Sequence, residues 1–140
     1  TIKVITVEKI ASSITVDVNP ENVTLGSYVN ISGRISPKRA NVNVTIKISL
    51  RNDGDSSENA TVTVETDSEG YYWHTWKPPE VGVYEISVSW NGDENTEAAE
   101  SELILVNVAE PQSILIPLIW LALLGLAALV TFLVLRYKSK

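Results

Sequence analysis

The sequence predicts an all-β sandwich of seven strands followed by a single C-terminal transmembrane α-helix. Three observations carry that prediction. Short alternating runs rich in β-branched residues recur between residues 14 and 108, with turn residues between them and no helical period. No charged residue occurs from Pro111 to Leu135. The 140-residue chain has no cysteine, so no disulfide framework or thiolate site is available and any core must be apolar.

The seven runs are "ITVDV", "SYVNISGRI", "NVNVTIKISL", "ATVTVET", "GYYWHTW", "GVYEISVSW" and "SELILVNV". Between them lie "NPEN", "SPKRA", "RNDGDSSEN", "DSEG", "KPPEVG" and "NGDENTEA", rich in the residues that terminate strands and build turns. Seven short strands at this spacing, in a unit of this length, fit an immunoglobulin-like sandwich better than a barrel. The sandwich is placed at residues 14–108, and "AEPQS" (109–113) is a linker.

The run 114–135, "ILIPLIWLALLGLAALVTFLVL", is long enough as a helix to cross a hydrocarbon core of about 30 Å. A buried core helix of that length would need more surrounding protein than the rest of the chain supplies. The tail at 136–140, "RYKSK", holds Arg136, Lys138 and Lys140 and no acid. Taking those three cations from the formal net charge of −6 leaves −9 for the remainder. Basic flanks favour the cytoplasmic side, so the expectation is a tail inside the cell and a sandwich outside it. No ionisable residue interrupts the span, so an ion path through it is not expected. Ala127 and Thr131 form only a weak small-residue pair, and there is no Gly-x-x-x-Gly.

An exterior location gives meaning to four Asn-x-Ser/Thr triplets, at Asn22, Asn30, Asn43 and Asn59, which are candidates for N-glycans. The chain begins at Thr1 without an initiator Met, so a removed leader or further upstream residues are expected. The segment 1–13 opens with "TIKVITVE", whose alternation is that of a strand. Three readings stand: the last strand of a preceding domain, an extra edge strand of this one, or a strand donated to a neighbour's sheet.

"NPENVTLGSYVNISGRISP" and "TDSEGYYWHTWKPPEVGVYEISVSWNGD" together resemble the Ig-like domains repeated in archaeal and bacterial cell-surface proteins. The shared run is a proline-led strand, two glycines seven positions apart, a Thr-Asp-x-x-Gly turn and an aromatic strand ending in Trp. Pro-Pro, Gly-x-Tyr and Ser-Trp-x-Gly-Asp follow. The resemblance covers about residues 14–108 and implies the sandwich fold and a prokaryotic, more specifically archaeal, source. It says little of function, because such modules serve as spacers, adhesins and accessory domains.

The aromatic segment can be divided by strand parity. Tyr72, His74 and Trp76 share one face, and Tyr84, Ile86, Val88 and Trp90 share the apolar face of the next strand. Those faces are expected to make the core, with His74 a core histidine where the family pattern has Phe. Tyr84, just after Gly82, resembles a tyrosine corner. Tyr71 and Trp73 fall on the outer face and are the candidate surface contact for a protein or sugar.

Catalysis is not expected. One inward histidine and no cysteine leave no nucleophile–base pair, and no phosphate loop, dinucleotide turn or His-x-x-x-His is present. No cofactor is expected. Acidic loops offer Asp53, Asp55 and Asp93 as weak Ca²⁺ candidates, although neither loop has EF-hand spacing, and solvated turns explain both. The acidic exterior argues against nucleic acid. The expected partners are the lipid bilayer and other envelope or membrane-complex proteins. Two roles compete: a membrane-anchored extracellular protein with a structural, scaffolding or adhesive part in the envelope, or a non-catalytic accessory subunit whose helix packs on a larger membrane complex.

Overall fold

The structure, a computed structural model, describes residues 2–52, 55–113 and 118–139; at 52, 55–59 and 118–119 only the backbone is described. Among these residues there are ten strands and one helix. The strands are β1 (Ser13–Ile14), β2 (Asp17–Asn19), β3 (Asn22–Thr24), β4 (Val29–Ser36), β5 (Asn43–Asn52), β6 (Asp55–Glu65), β7 (Tyr71–Trp76), β8 (Gly82–Trp90), β9 (Ala99–Glu100) and β10 (Ile104–Ala109), and the helix is α1 (Leu118–Lys138).

Two sheets form. In the first, β4 is central, with β1 and β2 in succession along one side and β7 on the other, all antiparallel. In the second the order is β3-β10-β8-β5-β6, with β9 beside β8. This is the pairing scheme of an immunoglobulin-like sandwich, with β4 and β7 in one sheet and β5, β8 and β10 in the other. Alternate residues of both sheets point inward and make one core. Val29, Ile31, Ile35 and Tyr72 face Val44, Ile46, Ile48, Tyr84, Ile86, Val88 and Val106, all buried.

All seven predicted runs are strands, but the expected count of seven is corrected in three places. The run "ITVDV" is divided into β1 and β2. The Thr15 carbonyl that would continue the ladder instead accepts the Tyr72 hydroxyl, at 2.5 Å. The segment "NPEN" is only partly turn: after Pro20 the chain leaves the first sheet, and β3 pairs in parallel with β10 of the second. Finally, β9 is a two-residue pairing inside the segment joining β8 to β10. Elements of two or three residues show no period, which is why alternation does not find them.

Gly33 explains the interruption at Thr15. It occupies a core-facing position of β4 directly opposite Tyr72 on β7. The phenol crosses the place where a side chain would stand in order to reach Thr15. A Cβ on Gly33 would overlap the Thr15 carbonyl oxygen and the Tyr72 hydroxyl, and would lie 2.6 Å from Tyr72 Cζ.

Residues 2–9 join neither sheet, and Ile2, Val4, Ile5 and Val7 are exposed. The chain is first fastened at Lys9, whose Nζ donates to Asp93 O at 2.9 Å, and Ile10 then makes a single parallel bridge to Thr96. The Ile10 N–H donates to Asn95 O at 2.8 Å, and the Glu97 N–H donates to Ile10 O at 2.9 Å.

Residues 114–117 of the expected span lie outside the described residues. From Leu118 the helix is continuous and passes Leu135 to end at Lys138, so Arg136 and Lys138 sit in its last turn. Cations there complement the negative end of the helix dipole, which gives the helix no reason to stop where the apolar run does. By length and composition α1 can cross a membrane, and from Trp120 to Lys138 it is not covered by the other described residues.

Candidate functional site

The aromatic residues at 71–90 divide as strand parity requires. Tyr72, Trp76, Tyr84 and Trp90 are buried. Trp76 and Tyr84 meet edge to face across the sandwich, with ring centroids 4.8 Å apart at 72°. The Tyr84 hydroxyl donates to Glu80 O at 3.0 Å, closing the tyrosine corner. Burial raises the ionisation of both Tyr72 and Tyr84 above the usual phenol value of 10.0.

A pH dependence follows. Above pH 10 the unfolded chain ionises these phenols while the folded chain keeps their protons, so stability present below pH 10 is lost as pH rises through the raised values. Urea midpoints measured from pH 8 upward should be flat to about pH 10 and then fall. Tyr72→Phe should start lower and fall less steeply; an unchanged slope would mean that Tyr72 ionises freely in the fold.

His74 departs from the expected core histidine. It lies in the inward row between Tyr72 and Trp76, opposite Ile31, but is only half-buried. Its ring nitrogens have no hydrogen-bond partner among the described residues. No buried side-chain nitrogen or oxygen lacks a partner there, so water reaches them.

The outer face of the first sheet is set by the turn before β7. The Asp67 carboxylate accepts the N–H groups of Glu69 and Tyr71, both at 2.9 Å, and Gly70 turns the chain with φ of +83°. This fixes where β7 starts and therefore which residues face outward. The pairings give three outward rows. Arg34 stands opposite Tyr71; Asp17, Ser32 and Trp73 lie side by side; Asn19, Asn30 and Thr75 do the same.

Tyr71 and Trp73 are both exposed, at 47 % and 66 %, but they are not equivalent. The Arg34 guanidinium lies over the Tyr71 ring, 5.1 Å from its centroid, and its Nε donates to Glu69 O at 3.2 Å. Trp73 faces only Ser32 and then Asp17, which are too short to cover an indole. Farther along, Lys77 Nζ stands 5.6 Å from the centroid of exposed Tyr28, a contact that sequence reasoning missed because it joins residues nearly fifty positions apart. The open surface of the patch is therefore Trp73, with Asp17, Ser32, Asn30 and Thr75 as polar neighbours.

The acidic candidates resolve unevenly. Asp53 lies outside the described residues, as does the side chain of Asp55. Asp93 is engaged in its own loop: Oδ1 accepts the Asn95 N–H at 2.8 Å, and Oδ2 accepts from Arg39 Nε at 3.4 Å. The Asn95 N–H is the main reason that its carboxyl is held below the ordinary value. Arg39 also donates to the hydroxyl of buried Thr96 at 2.6 Å, so the group fastens the loop that receives Ile10. Among the described residues no three His, Cys, Asp or Glu side chains come together as a metal site.

Three sequons fall on exposed strand positions: Asn22 on β3, Asn30 on β4 and Asn43 at the start of β5. The side chain of Asn59 lies outside the described residues.

No family model matches the sequence, and no curated protein matches it. Among solved structures, the chain is similar to the CARDB domain of the PF1109 protein from Pyrococcus furiosus, seen in a crystal structure in complex with di-metal ions. That similarity has 16 % identity, covers 71 % of this chain and 94 % of that domain, and has a TM-score of 0.38. A solution NMR structure of the same domain gives 15 % identity, 71 % and 95 % coverage, and a TM-score of 0.38. The class is defined by the chain's own pairing scheme: an immunoglobulin-like β-sandwich followed by one helix long and apolar enough to span a membrane.

Proposed function

We propose that this chain is a single-pass membrane protein. Its sandwich stands outside the cell and acts there by binding or bracing, as a structural, scaffolding or adhesive element of the envelope. The observation that carries the reading is the helix Leu118–Lys138, apolar until its last turn and, from Trp120 onward, uncovered by the other described residues. An apolar surface of that length needs lipid or another protein around it. The basic end favours the cytoplasmic side, which puts the acidic sandwich outside.

Binding rather than catalysis fits the outer face, where the open group is an indole among short polar side chains. The single histidine makes no hydrogen bond to a hydroxyl nucleophile among the described residues. A simple anchor in lipid suits Thr131. Its hydroxyl donates to Ala127 O at 2.7 Å within the same helix, so that polar group needs no partner helix.

Solubilising native membranes in mild detergent, separating by size and identifying co-migrating chains by mass spectrometry tests this choice. The reading expects the chain alone or with surface glycoproteins. Migration in one large species with a fixed set of membrane subunits would instead make it an accessory subunit.

A further inference from the structure

Trp73 is a large apolar group on the sheet face, 66 % exposed and uncovered by any of the described residues, whereas its neighbour Tyr71 lies under a guanidinium. On the adjoining strand is Asn30, the first residue of the triplet Asn30-Ile31-Ser32. Pairing puts Asn30 opposite Thr75 and Ser32 opposite Trp73. Asn30 and Trp73 are therefore diagonal neighbours on one face, about 7–8 Å apart by ordinary antiparallel geometry.

The Asn30 amide is also oriented. Thr75 Oγ1 donates to Asn30 Oδ1 at 3.1 Å, which turns the carbonyl oxygen toward β7. Nδ2, the atom to which an N-glycan is joined, makes no hydrogen bond among the described residues. The sequons on the second sheet differ, since neither Asn22, paired with Asn107, nor Asn43, paired with Glu65, has an aromatic residue diagonal to it on that neighbouring strand.

We propose that Asn30 carries an N-linked glycan whose first sugar lies on the Trp73 indole. A pyranose has one face made largely of C–H groups, and laying it on an indole removes apolar area from water on both sides. Such a contact is weak between free molecules. Here the covalent link makes it intramolecular, so a high effective concentration holds the sugar in place. Hydroxyls at the sugar's rim then face Ser32, directly opposite Trp73, with Asp17 one strand beyond it and Arg34 one outward row along.

The modification is a glycosyl transfer from a lipid-phosphate-linked donor, catalysed by a membrane transferase. The sugar C1–O bond to phosphate breaks as C1–Nδ2 forms. The phosphate leaves with the bonding electron pair, and Nδ2 gives up one proton. The proposal rests on the sandwich being outside the cell, where such transfer takes place.

The test uses the full chain purified from its own membranes, as wild type, Ser32→Ala and Ser32→Thr. Ser32→Ala removes the sequon without touching Asn30, and Ser32→Thr keeps it. Peptide mass spectrometry reads the sequons, and hydroxyl-radical footprinting reads oxidation at Trp73 by residue. The expected result is glycan on Asn30 in wild type and Ser32→Thr, with Trp73 oxidised at least about threefold more slowly in both than in Ser32→Ala. Glycosylated Asn30 with equal Trp73 oxidation in all three would overturn the proposal. So would a bare Asn30 beside glycosylated Asn22 or Asn43, an outcome that leaves the outside location standing. Bare sequons throughout also overturn it, and amine labelling that places the sandwich inside the cell would then remove the location as well.

Discussion

Gly33→Ala is expected to destabilise the sandwich by about 2–6 kcal/mol, a large part of the stability of a small domain. The new methyl would overlap the Thr15 carbonyl oxygen and the Tyr72 phenol, and backbone cannot move aside as a flexible side chain can. Overpacking of this kind costs about 1–3 kcal/mol. Displacing Tyr72 also breaks its hydrogen bond to Thr15 and strands a buried hydroxyl, for about 1–3 kcal/mol more. Urea denaturation monitored by tryptophan fluorescence measures the loss. Pairing Gly33→Ala with Tyr72→Val should return part of it, because the smaller side chain vacates the clash and leaves no hydroxyl behind. A loss below about 1 kcal/mol for Gly33→Ala would mean that Tyr72 does not cross Gly33 to reach Thr15.

The second large effect concerns the helix. Replacing Leu126 and Leu129 together by Arg puts two cations near the middle of α1, at about 2.5–3.5 kcal/mol each on insertion scales. The wild-type chain should stay with the membrane pellet through alkaline carbonate extraction, and the double variant should move to the supernatant. Leu126→Ile with Leu129→Ile, which keeps the surface apolar, should behave as wild type. Release of that control would point to a shaped contact with another helix rather than to lipid.

The fold was legible where elements are long enough to show a period. Strands β4 to β8 and β10 alternate over six residues or more, and the same parity separates buried Tyr72 and Trp76 from exposed Tyr71 and Trp73. The division of the first strand was not legible, because it depends on Tyr72, which is 57 positions from Thr15 in the chain. Nor was β3, whose three residues "NVT" read as part of a turn and a sequon. The N-terminal alternation "TIKVITV" suggested a strand, yet residues 2–9 pair with neither sheet, since alternation records a capacity to pair and not the presence of an edge.

The site was half legible for the same reason. That Tyr71 and Trp73 face outward follows from parity within one strand. That Arg34 covers Tyr71 while Ser32 leaves Trp73 bare, and that Asn30 lies diagonally beside it, depends on register between β4 and β7. The sequence does carry one clue to that register: a glycine at a core-facing position of β4 must stand opposite something large, and Tyr72 is the large inward residue next to Trp73.

The central claim is that the sandwich lies outside the cell and the basic tail inside. A membrane-impermeant amine reagent applied to intact cells, followed by peptide mass spectrometry, tests it most directly. Lys38, Lys47 and Lys77 of the sandwich should be labelled at once, whereas Lys138 and Lys140 should be labelled only after the membrane is opened. Labelling of Lys138 or Lys140 on intact cells, with the sandwich lysines protected until permeabilisation, would contradict the account.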